Sequence, residues 1–259
     1  MQFKIYELKK MNMPFTIQFA SEKFKENIEE VLEMVVRDID FYLNDIENKF
    51  SVFKEDSYVS NHKGIGEDFS SIYFDKDYQS VYIESILAKK DTFGLFDAFF
   101  EKKYNPTGLV KGWAIEEAFT KYLKPLLDNN IVEGAALNGA GDMQVGISAK
   151  SDFSWSIGIE NPFNLNEIVA SYKISNGAVA TSGFSKRGKH VKTENNIYQT
   201  TIVADSLKDS EIYATALLVA EESLVTQVIK EKKLTGMYIR ENKEFIAFEK
   251  GEIVYVEKS

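Results

Sequence analysis

Glu211 and Thr215 stand four apart where an apolar period of three to four begins. On a helix, residues four apart lie on one face, so a carboxylate and a hydroxyl would point together. With backbone carbonyls added, such a pair suits an oxygen-liking cation such as Mg2+. The same two residues could instead serve the helix itself, the Glu complementing the positive N-terminus and the Thr packing beneath it. A second chemical locus is SKRGKHV (185–191), where Lys186, Arg187 and Lys189 flank His190 beside Thr181, Ser182 and Gly183. Cations and backbone amides of that kind can grip a phosphate with a histidine as acid or base, or can form a solvated basic loop. The other histidine, His62, falls in a polar stretch and reads as a surface residue.

Small residues gather in three places, NPTGLVKG (105–112), LNGAGDMQVG (137–146) and GAVATSGFSKRG (177–188). Each is either a turn between elements or a loop whose backbone can come close to an anionic ligand. None is a P-loop, for the Gly-x4-Gly-Lys-Ser/Thr spacing is missing, and the second leads into a strand pattern rather than opening a helix as a dinucleotide fingerprint would.

Composition limits the chemistry further. The 259 residues contain no cysteine and two histidines, which excludes thiol nucleophiles, disulfides, cysteine-ligated metals and a three-histidine zinc centre in one chain. A net charge of −9 without a long basic stripe argues against nucleic acid and anionic membrane surfaces as partners. The first ten residues, MQFKIYELKK, carry no export signal pattern, and no apolar run is long enough to span a bilayer, so a cytoplasmic protein without membrane insertion is expected.

These groups need a scaffold. Apolar residues recurring from Phe24 to Ile46 predict a long helix over 21–50 with Ser21 as N-cap, preceded by a short strand at 15–19 and followed by a surface loop. Helices are also predicted at 78–90, at 111–123 ending before Pro125, at 209–220 and on to 230. Alternation of period two predicts strands at 143–147 and 155–159, neighbours joined by the turn 148–153, then strands at 200–204, 237–240, 245–248 and 253–256. Segregated helices and strands favour an α+β chain in one domain spanning 1–259.

Read in order, NPTGLVKGWAIE (105–116), LNGAGDMQVG (137–146), WSIGIENP (155–162), GAVATSG (177–183), RGKHV (187–191) and EIYATALLVA (211–220) resemble the ApbE-type family of FAD:protein FMN transferases. MNMPFTI (11–17) and KFSVFKEDS (49–57) extend the similarity over most of the chain to about residue 220. The resemblance implies an ApbE-like, T-fold-related α+β architecture of two interlocked lobes, with mixed or antiparallel sheets and packed helices. It implies Mg2+-dependent transfer of FMN from FAD to a Thr or Ser of an acceptor protein carrying Asp-Gly-x-Ser/Thr-Gly-Ala-Thr, with release of AMP. By position, Glu211, Thr215 and the Gly108 carbonyl would hold the metal, and His190 would transfer a proton. Asn12, Met13, Lys111, Asn138, Gly141, Asp142, Thr181, Ser182 and Gly183 would line the FAD site. The chain departs from the family in carrying Glu211 for the usual Asp, VKTENN after His190 for Asp-Pro-x-Thr-Gly, Asn12 for Gly and Asn105 for Asp. An FAD-binding protein without transferase activity and an FAD pyrophosphatase releasing FMN and AMP are the rival readings.

Overall fold

The computed structural model describes residues 1–61, 74–100, 103–184 and 196–257. The first ten residues, whose alternation carries Tyr6 and Leu8 to one side and Phe3 and Ile5 to the other, form an edge strand, β1 (Gln2–Lys10). It pairs with β2 (Met13–Ser21) through a two-residue turn in which Met11 and Asn12 both take positive φ, 51° and 57°. That twist matches a hairpin of right-twisted strands. Ser21 therefore ends a strand and caps no helix: its hydroxyl donates to the Lys23 carbonyl at 3.2 Å and lies 3.3 Å from Glu133 Oε1.

Helix α1 (Ile28–Phe50) starts seven residues later than its apolar period suggests, after Asn27 in the left-handed region. Its buried stripe, Leu32, Val35, Ile39, Leu43 and Ile46, is the one read from the sequence. α2 (Lys76–Asp91) follows, capped by Asp75, which accepts the Tyr78 N–H at 3.0 Å. α3 (Thr107–Ala118) passes through a π-helical turn, Phe119–Leu123, into α4 (Lys124–Asp128). Pro125 thus does not end the helix. It follows directly on the π-helical turn, whose wider spacing accommodates a residue without an N–H inside a continuous helix.

Nine strands make one sheet in the order β1-β2-β3-β4-β7-β8-β9-β10-β11, with every pairing antiparallel. Here β3 is Gly134–Gly139, β4 Asp142–Ile147, β7 Gly177–Gly183, β8 Ile197–Ala204, β9 Thr235–Arg240, β10 Phe245–Glu249 and β11 Glu252–Glu257. β5 (Trp155–Asn161) pairs not with β4 but with β6 (Asn164–Ile174), as a separate two-stranded ribbon. Alternation names the buried face of a strand without naming its partner, and this is where the expected β4–β5 neighbourhood fails.

The two faces of the sheet are sorted by residue parity. Phe15, Ile17, Phe19, Ala135, Leu137, Ala178 and Ala180 meet α1, α2 and α3 in one core. Ala20, Ala136, Val145 and Val179 meet Trp155, Ile157 and Ile159 of the ribbon in another. α5 (Leu207–Val219) and α6 (Glu222–Glu231) close a third core over β8, β9 and β10.

Lys49, in the last turn of α1, ties that helix to α2. Its ammonium lies 2.8 Å from Asp45, 2.7 Å from Asp77 and 3.1 Å from Asp75. Burial pushes the Lys49 pKa down, but the three aspartates more than reverse this and hold it above the ordinary lysine value. Lys49→Met is expected to cost about 1 kcal/mol in urea unfolding at neutral pH. Because the folded pKa is raised, that contribution is complete below pH 10.5 and is lost as pH climbs beyond it, so wild type and variant converge in strong alkali.

Candidate active-site cleft

β4 and β7 stay paired over three positions, Met143 with Val179, Gln144 with Ala178 and Val145 with Gly177. β7 continues to Gly183 against β8, so beyond Val179 it leaves β4 behind and the sheet parts. The segments GAVATSG and LNGAGDMQVG are therefore strands β7 and the β3–β4 hairpin, not connecting loops. In that hairpin Ala140 and Gly141 take positive φ, 55° and 104°, and Asn138 Oδ1 accepts the Gly141 N–H at 2.9 Å.

This turn delivers Asp142 to the parting. Its Oδ1 accepts the Thr181 N–H at 2.9 Å, replacing the strand partner that β7 has lost, and its Oδ2 pairs with the Lys111 ammonium. Lys111 comes from α3 and reaches Glu211 Oε1 of α5 at 3.0 Å as well. The other Glu211 oxygen, Oε2, accepts the Gly112 N–H at 2.6 Å. The three side chains are 4% to 13% exposed, so two carboxylates and one ammonium form a buried centre with one surplus negative charge. Burial, then Asp142, pushes the Glu211 pKa up against the pull of Lys111, while the carboxylates outweigh burial to raise Lys111.

One turn along α5, Thr215 Oγ1 lies 3.1 Å from Ser182 Oγ, and Thr181 Oγ1 lies 2.8 Å from Thr201 Oγ1. Glu211 does not serve the helix N-terminus, which Ser206 caps by accepting the Asp209 N–H at 3.2 Å.

These groups open into a cleft of about 930 Å3. Asn12, Met13, Gly108, Lys111, Asn138, Gly141, Asp142, Thr181, Ser182, Gly183, Glu211 and Thr215 all line it. His190 and its basic segment, like His62, lie outside the described residues. Glu47, Phe53 and the ribbon positions Trp155 to Glu160 also line the cleft, beyond the site residues that the sequence alone names. Glu47 accepts the Met11 N–H at 2.7 Å and so holds the β1–β2 turn against the cleft; its signal was a carboxylate beside the apolar stripe of α1.

Among the described residues no cluster of three or more Asp, Glu, His or Cys stands ready as a cage. What is present is two carboxylates, the Thr215 and Ser182 hydroxyls and surplus negative charge. That combination fits a hard cation of the kind bound by one or two carboxylates with the remaining positions left to water and substrate phosphates.

An antiparallel sheet parted over a carboxylate–lysine–carboxylate centre, backed by helices on one face and a ribbon on the other, defines the class. The ApbE family profile matches residues 101–239, and the chain belongs to that family. No curated protein matches it. Among solved structures, the flavin transferase ApbE from Vibrio cholerae is 15% identical with a TM-score of 0.70, covering 100% of this chain and 97% of its own. An ApbE protein from Thermotoga maritima is 17% identical with a TM-score of 0.73, covering 100% and 97%. The flavinyl transferase ApbE from Pseudomonas stutzeri, in its apo form, is 13% identical with a TM-score of 0.72, covering 96% and 95%. At these identities the likeness is one of fold. Among the described residues no helix is long and apolar enough to cross a membrane.

Gly112 lets α3 and α5 meet: a Cβ there would lie 2.6 Å from Glu211 Oε2 and 3.1 Å from the Leu207 carbonyl oxygen. Gly112→Ala is expected to destabilise the protein by about 2 kcal/mol in urea unfolding, because the carboxylate must leave its amide. An unchanged midpoint would show that the two helices are not locked at this point.

Proposed function

We propose that the chain is a Mg2+-dependent FAD:protein FMN transferase, with FAD in the cleft and a Thr or Ser hydroxyl of an acceptor protein as nucleophile. The observation carrying this reading is that all twelve described positions assigned by family resemblance line one cleft around the Lys111 centre. In the reaction the acceptor oxygen bonds to the FMN-side phosphorus, the bond from that phosphorus to AMP breaks, and the hydroxyl proton passes to a base. AMP departs with the bonding electron pair. His190 is our candidate for the proton transfer.

Glu211, Thr215 and the Gly108 carbonyl, with Asp142 beside them, are the groups we assign to the cation, which would neutralise charge on the diphosphate. Lys111 offers a further positive charge to the same phosphates. Thr181, Ser182 and Gly183 at the free end of β7 and Asn138, Gly141 at the β3–β4 turn would hold the dinucleotide from two sides.

The test is to incubate the protein with FAD, Mg2+ and an acceptor domain bearing the Ser/Thr motif, and to weigh the acceptor by intact-mass spectrometry. An FMN adduct that disappears on chelation is expected. Thr215→Ala and Glu211→Gln should each slow transfer on the order of a hundredfold, about 2.7 kcal/mol of barrier, with the fold retained. Free FMN and AMP without an adduct would instead identify a pyrophosphatase. FAD binding with neither product would identify a flavin-binding protein without transferase activity.

A further inference from the structure

We infer that Lys111 is an internal counter-ion that makes cation and anionic substrate bind together: its ammonium competes with a divalent cation for Asp142 and Glu211, and the substrate's diphosphate relieves that competition. This inference rests on the cation and dinucleotide reading above. The geometry behind it is specific. Thr181 N–H holds Asp142 Oδ1 and Gly112 N–H holds Glu211 Oε2, which leaves Asp142 Oδ2 and Glu211 Oε1 as the oxygens facing the ammonium. A cation drawn to those oxygens meets Lys111 already on both.

Charge counting gives the direction of the effect. Two carboxylates and one ammonium leave the centre at one negative charge. Adding a divalent cation alone would reverse this to one positive charge in a site sheltered from water, which is costly. Adding a dinucleotide diphosphate, with roughly two negative charges, restores the original balance. The diphosphate alone would raise the negative charge further, so each ligand disfavours binding without the other. Thermodynamic linkage then requires each to raise the other's affinity by the same factor. Replacing Lys111 by an apolar residue changes the account: the centre has two negative charges, and one divalent cation neutralises it with no substrate present. A lysine that merely packs α3 against α5 would produce neither the coupling nor its loss.

Mn2+, followed by electron paramagnetic resonance, serves as the cation, and flavin fluorescence reports FAD, in wild type, Lys111→Met and Lys111→Arg. Wild type is expected to bind Mn2+ at least about tenfold tighter with FAD than without, and FAD tighter with Mn2+ by the same factor. Lys111→Met should bind Mn2+ alone at least about tenfold tighter than wild type and lose most of the dependence on FAD; Lys111→Arg should retain it. Mn2+ affinity indifferent to FAD in wild type, or unchanged in folded Lys111→Met, would overturn the inference. If Lys111→Met does not fold, the wild-type comparison with and without FAD decides it. Failure of every variant to bind FAD would count against the transferase reading instead, and the Mn2+-only comparison between wild type and Lys111→Met would still decide the role of Lys111.

Discussion

The site depends on one arrangement of charge: an ammonium on α3 set between a carboxylate on β4 and another on α5. A buried carboxylate without a partner is strongly disfavoured, so each of these three groups constrains where the others stand. Lys111 fixes the separation of α3 and α5 from the inside, and Gly112 permits it by presenting no side chain to Glu211. Asp142 is held in turn by the strand it borders, through the Thr181 amide. Stability and chemistry are therefore carried by the same atoms. A change that frees these carboxylates for ligand also weakens the packing of two helices.

The usual family aspartate is glutamate in this chain, and the structure gives that difference a physical setting. Where α5 meets α3, Gly112 supplies both space beside the longer Glu211 side chain and an N–H donor for Oε2. Glu211 is thereby anchored at one oxygen and paired at the other. Burial is the first cause pushing the Glu211 pKa above the ordinary carboxylate value, and the Lys111 ammonium pulls against it.

Local elements were readable where one face of a segment is apolar. The stripe of α1 from Leu32 to Ile46 and the alternation of β10 follow their periods. β1 is hard to read because it is an edge strand with no buried residue, and β6 because its outer half, Asn164 to Ile168, is exposed at every position. The pairing of β5 with β6 instead of β4 is a long-range choice that no period encodes. At the site, residue types and small-residue spacing marked the positions, yet the ion pair between Lys111 and Glu211 joins positions 100 apart in sequence, beyond any local pattern. Glu211 itself was readable as either a ligand or a helix complement. Burial at 6% exposure, together with a separate N-cap at Ser206, decides between them.

The short contact between β4 and β7 has a mechanical meaning. Four strands under α1, α2 and α3 are joined to five strands beside α5 and α6 by three residue pairs of backbone. Continuous sheets are stiff across their strands, so bending concentrates at this seam. The cleft straddles it, with Asn138 to Met143 on one side and Thr181 to Phe184 on the other. A molecule lodged there is gripped by both halves and acts as a staple across the weakest line of the sheet. Occupancy of the cleft would thus be felt as rigidity far from it, along strands that never touch the ligand.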